Sequence, residues 1–107
     1  MELTLLKGYP DRVGRRFIFS GNATGPTSYS TTTGDVVTGL PYNNVVDVIF
    51  PSMTVSRTYE VRFYPSALGA RVTWAARWYT ISTGAEVANG TDLSAEQIQV
   101  GGFGGTY

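Results

Sequence analysis

Residues 70–81 read ARVTWAARWYTI, in which large apolar side chains alternate with arginine, threonine and tyrosine. Successive side chains of a β-strand point to opposite faces of the sheet, so this stretch has the period of a strand. One face would carry Val72, Trp74, Ala76 and Trp78, and the other Arg71, Thr73, Ala75, Arg77 and Tyr79. A clean alternation of this kind is typical of an antiparallel sheet that covers a core with one face.

The segment before it, residues 57–64, alternates in the same way and carries Glu60 and Arg62 on its polar face. Pro65 predicts the end of that strand, because proline cannot donate to the hydrogen-bonded ladder. Residues 66–69 then predict a turn, so the two strands are expected to form an antiparallel hairpin. We expect ion pairs across the ladder between this polar face and an arginine of the next strand, either Arg71 or Arg77.

The rest of the chain consists of short runs rich in Thr, Val and Phe, which Gly, Pro, Asn and Asp interrupt every ~8–12 residues. Strands are predicted over residues 16–23, 44–50 and 97–101, with a turn at 82–84 and a short strand through Val87. Residues 27–33 are expected to be an edge strand or a loop, and residues 94–97 at most one helical turn. The sequence therefore predicts one all-β domain over residues 15–101, an antiparallel β-sandwich of jelly-roll or immunoglobulin-like type with about seven or eight short strands.

The two ends of the chain differ in composition from this domain. Residues 1–14 are expected to form an N-terminal arm that breaks at Gly8 and Pro10. Residues 102–107 form a tail too rich in glycine to hold itself in a sheet, yet it carries Phe103 and Tyr107. We expect this tail to dock on a neighbouring subunit, so that its deletion weakens assembly without unfolding the domain. The alternative is that residues 102–107 are a frayed end whose aromatic side chains have no role.

The length and composition exclude most enzyme classes. The chain has 107 residues and 11.6 kDa, enough for one compact domain, and it contains neither cysteine nor histidine. Disulfides, the common zinc sites and Ser-His or Cys-His catalysis are therefore excluded. The eight Asp and Glu residues show neither the pairing of a glycosidase nor a calcium-binding loop of the Asp-x-Asp type. We predict no enzymatic activity, no cofactor and no metal site.

The charge balance limits the possible partners. Eight basic residues balance eight acidic ones, so the formal net charge is zero, whereas phosphate contacts require a basic surplus. No apolar run is long enough to span a membrane, and residues 1–10 lack the order of a signal peptide. We therefore expect a soluble protein that binds neither nucleic acid nor membrane.

The identity of the basic residues is more informative than the net charge. Seven of the eight basic residues are arginine, and tyrosine occurs seven times. Arginine and tyrosine are enriched where protein surfaces are buried against partners, while lysine is depleted there. The alternative explanation for the excess of arginine is the replacement of lysine by arginine in a GC-rich genome. As interface residues the sequence favours Arg15, Arg16, Arg71, Arg77, Tyr79, Phe103 and Tyr107, although solvated strand arginines are the competing interpretation for the first four.

Residues 78–94 read WYTISTGAEVANGTDLS, and this phrase resembles the C-terminal half of small structural proteins encoded among the virion genes of tailed phages. The segment RRFIF at residues 15–19 and the glycine-rich stretch around Phe103 are similar to the same group. The resemblance implies a capsid decoration or cement protein, made in the host cytoplasm and located on the virion's capsid surface. It further implies a homo-oligomer, a trimer or a dimer, that binds the major capsid protein. It offers no catalytic residue.

Two alternatives remain at this point. A carbohydrate-binding module of a fibre or tail-tip protein would use Trp74 and Trp78 as a sugar platform, since strand geometry places them roughly 13 Å apart. Their shared face also carries Val72 and Ala76, which favours a position in the core instead. A head–tail connector component would keep the virion context and change the location.

Overall fold

The computed structural model describes residues 1–41, 46–67 and 73–105, and these ranges contain nine β-strands and no helix. The strands are β1 (Thr4–Leu5), β2 (Asp11–Val13), β3 (Arg16–Thr24), β4 (Asp35–Val36), β5 (Val46–Ile49), β6 (Ser52–Met53), β7 (Tyr59–Ala67), β8 (Thr73–Thr80) and β9 (Gln97–Gly105). The prediction of an all-β antiparallel sandwich is confirmed. The count of strands exceeds seven or eight because three of the nine have two residues each.

The strands form two antiparallel sheets with the core between them. The front sheet has the order β1-β3-β9-β5, with β2 also paired to β3, and the back sheet has the order β4-β8-β7-β6. The long strands β3 and β9 of the front sheet, and β7 and β8 of the back sheet, contribute most of the buried apolar side chains, among them Phe17, Phe19, Ile98, Val100, Val61, Phe63, Trp74 and Trp78. The predicted inward face of the tryptophan strand is therefore confirmed for its described residues.

The predicted hairpin is confirmed, with Val61 of β7 opposite Trp78 of β8. The prediction that Pro65 ends the strand is wrong, because β7 continues to Ala67. The register shifts between Pro65 and Ala67, and such an irregularity accommodates a residue that has no N–H to donate. Residues 70–72 of the predicted strand lie outside the described residues.

The expected ion pair between the polar face of β7 and Arg77 does not form among the described residues. Arg62 lies directly opposite Arg77 in the ladder, so the register brings like charges together. Each guanidinium finds a carboxylate elsewhere, since Arg62 Nε lies 3.1 Å from Glu60 Oε1 on its own strand and Arg77 Nη1 lies 3.0 Å from Glu86 Oε2. Arg71, the other candidate, lies outside the described residues.

The interpretation of residues 102–107 as a separate tail is wrong for residues 102–105. Strand β9 continues to Gly105 in the centre of the front sheet, between β3 and β5. Gly102 and Gly104 are buried opposite Phe19 and Phe17 of β3. A Cβ atom at Gly102 would overlap Val48 O and would lie 3.0 Å from two atoms of the Phe19 ring. Gly102 is thus required by the close approach of Val48 O and the Phe19 ring, and deletion of residues 102–105 would remove part of the central strand of the sheet.

The N-terminal segment is also part of the sandwich. Thr4 and Leu5 pair with Asn22 and Gly21 of β3, and β2 pairs with the first half of the same strand. Leu3 is 4% exposed and belongs to the core. Residues 1–14 therefore complete the front sheet and do not form an independent arm.

Backbone hydrogen bonds join the two sheets along both sides of the sandwich. On one side, Leu3 N donates to Thr38 O at 2.9 Å, next to an isolated parallel bridge between Glu2 and Thr38. On the other side, residues 50–55 cross from the front sheet to the back sheet while they follow β9. Phe50 N donates to Gly101 O at 2.9 Å, and Val55 N donates to Gln97 O at 2.8 Å. These bonds limit how far the sheets can slide over each other.

A methyl group at position 102 tests the role of the inward glycines. We expect Gly102→Ala to lower the free energy of unfolding by about 2 kcal/mol or more, because Val48 and the Phe19 ring must both move. Gly101→Ala is the matched control, since its Cβ would meet only Phe19 O at 3.5 Å. We expect the control to change stability by less than about 0.5 kcal/mol in urea denaturation. Equal stability of the two variants would contradict this account of β9.

Candidate functional site

The outer face of the front sheet carries a cluster of exposed apolar side chains around Phe103. Ile18 of β3 and Val48 of β5 both lie opposite Phe103 in the ladders, so the three form a row across the sheet. The Phe50 ring packs 5.9 Å from the Phe103 ring, centroid to centroid. Phe50 is 52% exposed and Ile18 46%. We call Ile18, Val48, Phe50 and Phe103 the aromatic patch.

Two opposite charges border the aromatic patch. The Arg16 guanidinium lies 5.4 Å from the centroid of the Phe103 ring, in range of a cation–π interaction. Its Nη2 atom lies 3.6 Å from Asp47 Oδ2, and both side chains are about half exposed. Asp47 faces outward because the register between β5 and β9 shifts from Val46 to Val48. An exposed ion pair at this distance contributes little to folding, so both charges remain accessible to a partner.

The other half of the same face is polar. Side chains from β1, β3 and β9 border a shallow groove of about 610 Å³, and we call five of them the amide groove: Thr4, Asn22, Thr24, Gln97 and Gln99. Val55 lies on its border and is 75% exposed. Gln99 Nε2 donates to Ser20 Oγ at 3.3 Å between the groove and the aromatic patch. The front face therefore presents apolar groups at one end and amides and hydroxyls at the other.

On the back sheet, Arg77 holds the loop of residues 27–34 against β8. Arg77 Nη1 donates to Thr31 O at 2.9 Å and to Glu86 Oε2 at 3.0 Å. The same carboxylate oxygen accepts a hydrogen bond of 2.7 Å from the Tyr29 hydroxyl. Residues 27–33, expected as an edge strand or a loop, are a loop in the structure.

The electrostatics of this cluster follow from its hydrogen bonds and its burial. The hydrogen bond from Tyr29, followed by that from Arg77, holds the pKa of Glu86 below its usual value. Burial and the hydrogen bond to Glu86 raise the pKa of Tyr29 to about 12. The Tyr29 hydroxyl also accepts a hydrogen bond of 3.2 Å from Trp78 N, which opposes this rise in the pKa without cancelling it. We interpret the cluster as a structural element that fixes the loop.

The exposed part of the back face contains Tyr79 and Arg62. The Arg62 guanidinium lies 4.7 Å from the centroid of the Tyr79 ring. Burial, and then a hydrogen bond with Tyr64, raise the pKa of Tyr79. Tyr64 is 41% exposed, so this face presents two tyrosines and one arginine to solvent.

The residues predicted for an interface lie on different parts of the surface. Arg16 and Phe103 come together on the front face, whereas Arg77 and Tyr79 lie on the back face. Arg15 lies in the exposed turn that joins β2 to β3. The contacts of Arg77 with the 27–34 loop give it an internal role. Arg71 and Tyr107 fall outside the described residues.

Sequence reasoning did not select three members of the aromatic patch, Ile18, Val48 and Phe50. Alternation along residues 16–23 already placed Ile18 on the face opposite the phenylalanines, so its exposure was predictable. The meeting of Ile18, Phe103 and Val48 depends on which strands are neighbours, and no local signal in the sequence encodes that order. Trp74 and Trp78 are 6% and 0% exposed, so neither is available as a sugar platform.

Within residues 1–41, 46–67 and 73–105, no three acidic side chains lie close enough to hold a metal ion. The same residues contain no helix of the length and apolarity needed to cross a membrane. Comparison with protein-family models, with curated proteins and with solved structures found no significant match to this chain.

Removal of the Tyr29 hydroxyl tests the loop cluster. Tyr29→Phe leaves the N–H of Trp78 without its acceptor, and we expect a loss of about 1–3 kcal/mol in the free energy of unfolding. The folded protein keeps the Tyr29 proton up to pH about 12, whereas the unfolded chain releases it near 10.0. Wild-type stability is therefore complete below that lower pH and declines as the pH rises toward the higher one.

Urea denaturation measured between neutral pH and pH about 12 checks both effects. The Tyr29→Phe variant should lack this part of the alkaline decline. Tyr9→Phe is the control, because Tyr9 is 38% exposed, and it should retain both the stability and the alkaline decline of the wild type. An identical pH profile for Tyr29→Phe and the wild type would contradict the assigned role of Tyr29.

Proposed function

We propose that this chain is a non-enzymatic structural protein of a tailed-phage virion, in particular a capsid decoration protein. In this role it binds the outer surface of the shell as a homo-oligomer and contacts the major capsid protein. The observation that carries the proposal is the aromatic patch with its border of Arg16 and Asp47, on a sandwich whose described part holds no group of acidic side chains suited to a metal ion. The likeness of residues 78–94 and 15–19 to small virion proteins supports the same conclusion.

The exposed apolar groups favour a binding role. Four apolar side chains lie together on one face, two of them aromatic and close enough to pack on each other. Contiguous apolar surface rimmed by polar groups is typical of a protein–protein interaction site. Arginine and phenylalanine at its centre match the composition of interface cores, from which lysine and glutamate are largely absent. Covering this patch would remove it from water and stabilise an assembly.

The rigidity of the scaffold suits a protein that reinforces a shell. The two sheets are joined by backbone hydrogen bonds on both sides, through Leu3 and Thr38 and through residues 50–55 beside β9. The 27–34 loop is fixed by Arg77 and Tyr29. A module held in this way changes little on binding, so little of its binding free energy is lost to ordering of the backbone.

The two alternatives are affected differently by these observations. The carbohydrate module loses its basis, because Trp74 and Trp78 belong to the core. A head–tail connector would use the same kind of patch, and it differs from a decoration protein in copy number. A decoration protein occurs in a number comparable to that of the major capsid protein, whereas a connector is limited to the single vertex that bears the tail.

Quantitative gel analysis of purified particles of the encoding phage is the deciding measurement. We expect the chain to occur in a copy number of the same order as the major capsid protein. Shells assembled without the chain should bind the purified protein in co-sedimentation and should then withstand higher temperatures. A vertex-limited copy number would favour the connector, and absence from particles together with no binding to shells would overturn the virion role.

A further inference from the structure

We propose that two copies of the chain pair through the outer face of the front sheet, about a two-fold axis that runs along β9. This inference rests on the proposed function, since it names the surface by which the expected homo-oligomer forms. It follows from the order of the strands and from the groups that this order places on either side of β9.

The strand order makes the face complementary to itself. β9 lies between β3 and β5, so a rotation of 180° about an axis along β9, in the plane of the contact, lays β3 of one copy over β5 of the other. This rotation leaves each residue at the same height along the strand direction. Residues that share a level across the sheet therefore meet each other in the pair, which is an isologous contact.

The observed register places matching groups at the same levels. Ile18, Phe103 and Val48 form one row, so Phe103 meets the partner's Phe103 and Ile18 meets the partner's Val48. Arg16 lies on the β3 side and Asp47 on the β5 side, close enough to contact each other within one chain. Rotation brings each Arg16 to the partner's Asp47, so the pair gains two ion pairs between copies.

The amide groove is compatible with the same axis. Gln97 and Gln99 of β9 come opposite the corresponding side chains of the second copy. An amide carries both donors and an acceptor, so it can hydrogen-bond to a copy of itself, which a lysine or a carboxylate cannot do. These two amides can therefore be buried with their hydrogen bonds satisfied, whereas the carboxylate of Glu2, which also borders the groove, requires water or a donor.

The size of the face is adequate for a stable pair. β3 and β9 each have nine residues, so the face is about 30 Å long, and its four strand positions make it about 19 Å wide. The flat area of the face is therefore about 570 Å², without the additional area of protruding side chains. This value approaches the roughly 800 Å² per partner of a standard interface. It is about a tenth of the 6159 Å² accessible surface of the described chain.

Sedimentation velocity of the purified full chain over a range of concentrations tests the pairing. We expect a dimer, and we expect Phe50→Glu and Ile18→Glu each to weaken it roughly tenfold or more, since each places a charge in the apolar centre. Val36→Glu is the matched control, because Val36 is 51% exposed on β4 of the back sheet and Phe50 is 52% exposed. A monomeric wild type, or equal weakening by the control, would overturn the proposal.

A charge-reversal experiment separates contacts between copies from contacts within one chain. In the proposed pair, Arg16→Glu alone sets glutamate against the partner's Asp47, and Asp47→Arg alone sets arginine against the partner's Arg16. We expect each variant by itself to be a dimer weakened roughly tenfold or more, and an equimolar mixture to form a heterodimer of near wild-type affinity. Both internal pairs remain like-charged in that mixture, so recovery can come only from pairing between chains. No recovery would overturn the proposed axis.

Failure of this inference is distinguishable from failure of the proposed function. A chain that binds shells while Phe50→Glu and wild type have the same oligomeric state would overturn the paired face and leave the virion role intact. A chain that pairs as proposed and is absent from particles would overturn the virion role and leave the paired face intact. A wild-type trimer insensitive to Ile18→Glu would overturn the two-fold contact.

Discussion

The front sheet depends on the close approach of its strands at Gly102 of β9, where a side chain would overlap Val48 O of β5 and meet the Phe19 ring of β3. Phe17 and Phe19 lie opposite Gly104 and Gly102, and the rings contribute to the core what the glycines cannot. Burial of two such rings is worth several kcal/mol at ~25 cal/mol per Å² of apolar surface. Because β9 sits in the middle, β3 and β5 are placed on its two sides, and the row on the outer face follows from that placement.

The same strand links the inside of the molecule to its surface. The inward positions of β9 carry two apolar residues, Ile98 and Val100, followed by two glycines, while its outward positions include Gln97, Gln99 and Phe103. The inner glycines bring β9 close to the rings of β3, and the outer Phe103 then lies level with Ile18 and Val48. Stability of the core and composition of the exposed face are therefore properties of one segment, and substitutions on one side of β9 act on the other through its position.

The periodic features of the sequence predicted the fold well. Alternation identified β3, β7 and β8 and the inward face of each, because side-chain direction in a strand depends on local spacing alone. The prediction that β9 ends at residue 101 was wrong because a glycine-rich segment, taken by itself, indicates flexibility. The Phe19 ring and the Val48 carbonyl, which make Gly102 necessary, belong to strands much earlier in the chain, and only the strand order reveals that they are neighbours of β9. Arg77 was predicted as an interface residue, whereas the structure shows it paired with Glu86, which lies in a segment whose path the alternation of side chains does not encode.

The central position of the last described strand has a consequence for biosynthesis. Strand β3 forms its main ladder with residues 97–105, so the front sheet cannot close until that segment has left the ribosome. The ladder between β7 and β8 joins segments that are close in the sequence and can form earlier, whereas the ladder between β3 and β9 must wait for its distant strand. Closure of the front sheet is therefore expected to follow the synthesis of β9. Premature termination ahead of β9 would release a chain with exposed apolar strands, a natural target for proteolysis.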